Sequence, residues 1–265
     1  MSIVRLEITG SIATLTLCRP QSLNALGQDG DGQAFRAACE KINADKSVRA
    51  VVFAAEGRAF SAGGDLKAMQ AKHGNFAGSP SDIADAYKSN IHLIIRSLWG
   101  LEVPVISAIN GPAIGLGCDV ACMGDIRIAS KDAKFGLTFL KIGLIPGDGG
   151  AWLSPRIMGM ARAAELLFTG DVIDATKALE WGIVSDVVEA DELMDAAYAM
   201  ATRVAKQPPL ALRATKALLR QGQNTNFDTI LELSAATQGL MHNTEDHIEG
   251  VAAILEKRAP HFTGR

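Results

Sequence analysis

Two stretches of this chain are built alike, and their likeness constrains the fold more than any other feature. The first, VVFAAEGRAFSAGGDLKAM, runs from Val51 to Met69; the second, VPVISAINGPAIGLGCDVACM, runs from Val103 to Met123. Each opens on an apolar run, passes through a loop into glycines and other small residues, and meets a carboxylate, Asp65 or Asp119, where an apolar helix starts. A continuous apolar strand is the pattern of a parallel sheet covered on both faces, and strands alternating with helices make an α/β architecture. The first turn of a helix holds backbone N–H groups without internal partners, at the positive end of the helix dipole. Small residues there let a ligand come close to the backbone. Two such entrances side by side aim two N–H groups at one oxygen, an arrangement worth about 2.7–4 kcal/mol per donor in transition-state stabilisation. Tight packing of strand on helix is the other reading of the same glycines, and the residues alone leave both open.

The rest of the chain fits the same class. Val4, Leu6 and Ile8 alternate, Gly10-Ser11 turn, and Ile12 to Leu17 completes a predicted hairpin. Helical spacing covers Gln33–Asn43, a helix start covers Leu66–Lys72, a Gly/Ser/Pro/Asn loop covers His73–Ser81, and a long helix is predicted over Ser81–Leu98. The Ala71–Ser81 segment is expected to form part of a ligand wall. After Trp152 the chain becomes Ala-rich and helical, and Gln207-Pro208-Pro209 breaks it. We divide it into a core over 1–200 and a helical region over 201–265. Helices that cannot bury their apolar stripes on a small core pack on another subunit, so an oligomer is expected.

Composition narrows the function. Lys+Arg 26 against Asp+Glu 29 gives a net charge of -3, with no basic excess to neutralise a phosphate backbone, so nucleic acid is not the expected partner. The uncharged run Val103–Cys118 is shorter than the ~20 apolar residues of a spanning helix and is interrupted by Pro104, Gly111 and Pro112; no membrane association is expected. Cys18, Cys39, Cys118 and Cys122 are too few for a disulfide framework and read as reduced thiols of a cytoplasmic protein. Cys118 and Cys122 lack further ligands nearby, so no metal is expected, and the five histidines read as surface or packing residues. The glycine loops match neither a dinucleotide nor a phosphate fingerprint, because Val120 holds the third glycine position and no Gly-Lys-Ser/Thr follows. No G-x-S-x-G elbow occurs.

GRAFSAGGDL (Gly57–Leu66) followed by NGPAIGLGCDVACMGDIRIAS (Asn110–Ser130) resembles the enoyl-CoA hydratase/isomerase family, the crotonase superfamily. RPQSLNAL (Arg19–Leu26), FGLTFLKIGLIPGDGGAWLSPRIMG (Phe135–Gly159) and ALEWGIV (Ala178–Val184) extend the resemblance in order along nearly the whole chain. It implies a crotonase-like spiral of ββα units with a C-terminal helical region that forms a homotrimer or a hexamer made of two trimers. It also implies an acyl-CoA thioester as ligand, with coenzyme A as part of the substrate and no separate cofactor. The thioester oxygen would lie between the N–H groups of Gly64 and Leu116. The CoA arm would follow Ala62, Gly64, Asp65 and Leu66, near Arg19, Leu23 and Ala25, with Gly115 and Phe139 at the acyl end and Lys257 and Phe262 supplied by a neighbouring subunit.

The carboxylates depart from the family pattern. Hydratases of the family carry one Glu on the helix after the second glycine loop and another twenty residues later; here those positions hold Asp119 and Phe139. Asp is shorter by one bond, roughly 1.5 Å of reach, and Phe139 moves no proton, whereas water addition needs a group for the water and a group for the α-carbon. Phe139 would dry the acyl pocket. Asp148 is either the substitute acid or a turn residue capping the helix near Gly150. Asp119 is assigned to catalysis, with a modest rise in pKa as burial opposes the helix dipole; Asp65 and Asp125 are assigned to capping and pairing. The expected function is an enoyl-CoA hydratase. The alternatives are an enoyl-CoA or dienoyl-CoA isomerase with one Asp as proton shuttle, and a non-catalytic acyl-CoA-binding subunit.

Overall fold

The alternating residues at the N-terminus form the predicted hairpin. In the computed structural model, which describes residues 2–265, β1 (Val4–Thr9) pairs antiparallel with β2 (Ile12–Leu17) across Gly10-Ser11. Next comes α1 (Asp31–Ala44), which buries Phe35, Cys39 and Ile42. The first of the two similar units follows, β3 (Ala50–Ala55) and α2 (Leu66–Gln70). The predicted long helix is α3 (Pro80–Ala86) and α4 (His92–Trp99), joined by a π-helical turn over Tyr87–Ile91. The second unit is β4 (Val105–Ile109), the two-residue strand β5 (Ala113–Ile114) and α5 (Leu116–Cys122). Then come β6 (Ile126–Ser130), β7 (Lys134–Gly136), α6 (Gly150–Met158), α7 (Met160–Thr169), β8 (Val172–Asp174), α8 (Ala175–Glu180) and β9 (Asp186–Val188). The chain ends in α9 (Leu193–Ala205), α10 (Pro209–Gly222), α11 (Phe227–His242) and α12 (Glu245–Leu255).

The main sheet has the order β1-β2-β3-β4-β6-β9 and is parallel from β2 onward; β5, β7 and β8 make a small second sheet. Alternation along the strands divides the core between the two faces. Val51 and Phe53 join Phe35 and Phe60 on one face, while Ala50, Val52, Ala54, Ile106 and Ala108 meet Leu193, Ala197 and Ala201 of α9 on the other. Alanine on both sides of that second contact lets α9 lie close to the strands. This helix spans residue 200, and the Gln207-Pro208-Pro209 break separates it from α10.

Asp125, at the start of β6, ties α10 to the core. Its carboxylate receives Lys216 Nζ at 2.7 Å, Arg220 Nη2 at 3.1 Å and the Val105 N–H at 2.8 Å. Burial holds the Lys216 ammonium down to about 8, with Asp125 pulling the other way. Beyond α10 the apolar side chains face outward: Phe227, Leu240, Ile254 and Leu255 are exposed. Among the described residues no helix is long and apolar enough to cross a membrane.

Candidate active site

The loops that leave the C-terminal ends of β3 and β4 are stitched to each other. Ser61 N–H donates to Pro112 O at 3.1 Å, and Ile114 N–H donates to Ser61 O at 3.0 Å, a short parallel bridge between Ser61 and Ala113. A third segment is bound to the first, since Leu26 N–H donates to Gly63 O at 2.8 Å and Ala62 N–H to Leu23 O at 2.9 Å. The buried Asn24 side chain donates to Glu56 O and Ala59 O, while Ser61 Oγ donates to Asn24 O. The approach is close enough to require glycine. A methyl group at Gly63, whose φ is +88°, would lie 2.4 Å from Ile114 O, and one at Gly117 would lie 2.3 Å from Ser61 O. The packing reading of the glycines is therefore correct for these two.

That packing leaves two amides over. Gly63 N–H is taken by Ser61 Oγ and Gly115 N–H by Gly136 O, but Gly64 and Leu116 donate to no protein acceptor among the described residues. Both residues line one cavity of about 290 Å³. Its walls are mostly apolar, with Met69, Ile91, Phe139, Ile142 and Leu144 around Tyr87 and Asp148.

The two carboxylates assigned from the sequence lie close together but differ in access. Asp148 lines the cavity, is buried, and its Oδ1 has no partner; burial pushes its carboxyl up to about 6. It does not cap α6, whose first turn follows Gly149 without a side-chain cap, so the capping reading is corrected. Asp119 is 1% exposed and is not among the cavity-lining residues. Its Oδ2 is likewise unpartnered. Burial first, then the charge of Asp148, raise its pKa well above the ordinary carboxylate value, while the Gly150 amide opposes the rise. The shift exceeds the modest one expected, because the α5 dipole is overwhelmed by complete desolvation.

Of the other assigned residues, Ala62, Gly64, Leu66, Gly115 and Phe139 line the same cavity. Asp65 caps α2 by accepting from Lys67 N–H and Ala68 N–H. Leu23 (φ +53°) belongs to the turn bonded to Ala62, and Ala25 is buried beside it. Arg19 is buried too, its Nη2 2.8 Å from Asp31 Oδ1 and its Nη1 donating to Ala25 O, so its guanidinium is engaged in holding this turn. Lys257 and Phe262 do not line the cavity within this chain. Phe262 O accepts from Arg49 just before β3, whereas the cavity loops leave the other end of that strand, a strand of this length spanning roughly 20 Å.

The structure also corrects the Ala71–Ser81 segment, which contributes no lining residue; its Phe76 meets the lining residue Tyr87 edge-on at 6.4 Å. Sequence reasoning missed Tyr87 and His92. Nothing around Tyr87 marks a site except the π-helical turn, which is invisible to a reading by 3.6-residue periodicity. His92, taken as a surface or packing residue, has its Nε2 2.9 Å from Gly147 O, next to Asp148. No cluster of three or more metal-ligating side chains occurs among the described residues.

Comparisons with known proteins agree with this geometry. The family described as Enoyl-CoA hydratase/isomerase matches residues 7–265. The chain is 36% identical over 266 residues to the 1,2-epoxyphenylacetyl-CoA isomerase of Escherichia coli (strain K12), covering 100% of both chains. It is 34% identical to the crotonyl-CoA hydratase of Syntrophomonas wolfei, covering 98% of this chain and 97% of that one. The crystal structure of an enoyl-CoA hydratase from Bacillus anthracis superposes with a TM-score of 0.92 at 30% identity, covering 100% of both chains.

Proposed function

From its membership of the enoyl-CoA hydratase/isomerase family, to which the chain belongs as an enzyme, we propose that it adds water across the double bond of a 2-enoyl-CoA. The thioester oxygen sits between the Gly64 and Leu116 N–H groups. Asp148 takes a proton from water as the hydroxide oxygen bonds to Cβ, and the displaced π electrons move onto the thioester oxygen as an enolate held by the two amides. Asp148 then gives the same proton to Cα, so one water is added and the enzyme returns to its starting state. Asp119 stands behind this carboxylate, where burial and the charge of Asp148 favour its protonated form. Coenzyme A is part of the substrate; its arm follows Ala62 to Leu66, and no other cofactor enters.

One observation carries the reading: the Asp148 carboxyl and the two undonated amides belong to residues that line the same cavity. Phe139 supports a second reading, because with an apolar ring in the acid's place the cavity favours proton transfer from carbon to carbon over capture of water. In that case Asp148 moves one proton and the protein is an enoyl-CoA or dienoyl-CoA isomerase. The test is to supply 2-enoyl- and 3-enoyl-CoA in isotopically labelled water and read the products by mass spectrometry. A product heavier by one labelled water supports the hydratase; a shifted double bond at unchanged mass supports the isomerase. Thermal stabilisation by CoA esters without turnover would leave a binding subunit.

The outward apolar faces of α11 and α12 support assembly as a homotrimer or hexamer, with the region over 201–265 as the contact. Lys257 and Phe262 of a second copy would then complete the CoA site. The four scattered cysteines fit a cytoplasmic setting.

A further inference from the structure

The cavity that Asp148 lines holds a second proton-bearing group. Tyr87 lines the cavity beside the loop of Asp148, where a methyl group on Gly147 would lie 3.9 Å from its ring, and no protein hydrogen bond to its phenol hydroxyl occurs among the described residues. A carboxyl and a phenol that line one mostly apolar cavity are both placed to hydrogen-bond a bound substrate. Tyr87 also opens the π-helical turn, and such turns occur frequently at functional sites.

The turn is held from two sides. Asn90, buried within it, accepts the Gly32 N–H at 2.6 Å and donates to Gln28 O at 2.9 Å, which pins the turn to the start of α1. His92, just beyond it, is hydrogen-bonding distance from Gly147 O, which joins the turn to the loop of Asp148. The Tyr87 ring is gripped edge-on by Phe76 at 6.4 Å and by His92 at 6.0 Å. The position of the Tyr87 ring is thus set by the framework.

Resting on the hydratase reading, we propose that Tyr87 is a further catalytic residue, whose hydroxyl hydrogen-bonds the oxygen that joins Cβ and holds it opposite Asp148. In this role the phenol keeps its proton throughout: it donates to the water oxygen while Asp148 accepts one water proton, and to the product hydroxyl afterwards. Phe139 then needs no polar replacement, because two side chains from other elements already hold the water. The role implies substrates that carry an oxygen at Cβ in one state of the reaction, and it gives Tyr87 no part in steps at Cα alone.

Tyr87→Phe separates these roles, because the ring and its edge contacts are kept. Two rates are compared with the wild type: hydration of crotonyl-CoA, and exchange of the α-proton of butyryl-CoA with deuterated water, which needs Asp148 and the two amides but no oxygen at Cβ. Expected is a fall of roughly tenfold or more in kcat for hydration, the loss of one buried hydrogen bond, with KM and α-exchange within about threefold of wild type and an unchanged melting temperature. Hydration unaltered in the variant overturns the Tyr87 role alone. Equal loss of hydration and α-exchange also overturns it, since that is what a merely structural residue would give. A wild type that moves double bonds but adds no water overturns the hydratase reading, and the Tyr87 role falls with it.

Discussion

Gly150 stands directly against the Asp119 carboxyl: a methyl group on its Cα would lie 2.5 Å from Oδ1 and 2.9 Å from Oδ2. The contact explains why a residue at the start of α6 matters to one in the middle of α5. Gly150→Ala must push a buried carboxyl aside or move the turn that carries Asp148. A loss of about 1–3 kcal/mol in stability is expected, as for other overpacked sites, together with lower kcat. Denaturant unfolding and steady-state kinetics check both; full activity and stability would show that Asp119 has room to retreat.

The two aspartates differ in access, and their amide variants should differ in the same sense. Asp148→Asn removes the carboxylate that faces the cavity and is expected to lower kcat about 10²–10⁴-fold, the usual range for a general acid–base group. Asp119→Asn replaces an acid whose neutral form is favoured by burial with a neutral isostere, and a loss of less than about tenfold is expected. The reverse ranking in turnover of 2-enoyl-CoA would assign the proton transfer to Asp119.

Burial also makes Asp148 a pH-dependent burden on the fold. Its carboxyl is raised from the ordinary 3.8 to about 6, so the folded protein binds this proton more tightly than the unfolded chain. The sign follows: the stabilisation by protonation is fully present below about pH 4 and is lost as the pH rises through 6. At pH 8 the ionised group costs about 3 kcal/mol. Asp148→Asn should therefore be more stable than wild type at pH 8 by up to that amount, with the gain disappearing near pH 4. Melting curves across this range decide it, and a difference independent of pH would locate the effect elsewhere. The activity of the wild type should rise over the same interval, near pH 6, as the base ionises.

Asp125 has no part in the chemistry but holds a buried cation. Asp125→Ala leaves Lys216, 6% exposed, without its counter-ion and removes the acceptor of the Val105 N–H. A loss of about 3–5 kcal/mol is expected. The double variant with Lys216→Met should recover much of it, since the uncompensated charge is then absent. If the single variant is as stable as wild type, α10 is not held by this pair.

The apolar side chains of α12 supply a simpler test. Ile254 and Leu255 are 78% and 77% exposed in the single chain, and in the proposed trimer they lie in the contact. Ile254→Glu should lower the sedimenting mass toward that of a monomer; an unchanged oligomer would put the interface on another face.

Most of the framework was legible because its signals are long. Val48–Ala55 and Val103–Ile109 read as strands from their apolar runs, each starting two residues before the observed strand, and the paired glycine loops read as helix entrances from their small residues. β5, β7 and β8 were not read, because strands of two or three residues show no alternation. The π-helical turn was also missed: it inserts one residue into a helix whose apolar spacing otherwise looks continuous. For the site, chemical type was readable at Asp119 and Asp148, but depth was not. Whether a buried acid faces a cavity depends on which neighbour covers it, and for Asp119 that neighbour is Gly150, thirty-one positions away in sequence. Tyr87 and His92 carry no motif at all; only their meeting with the Gly147-Asp148 loop gives them significance.

The bridge between Ser61 and Ala113 has a consequence for how such an enzyme can change its reaction. The Gly64 and Leu116 amides are fixed by the ends of two neighbouring strands, and no single side-chain replacement relocates them. The acid, by contrast, sits on a surface loop between β7 and α6, and its presence there instead of at Phe139 alters nothing in the sheet. In the proposed reaction, activation of the carbonyl is thus a property of the scaffold, while the choice of which atom gains or loses a proton is interchangeable equipment. New chemistry in a chain like this can come by moving one carboxyl from loop to loop, with the folding problem already solved.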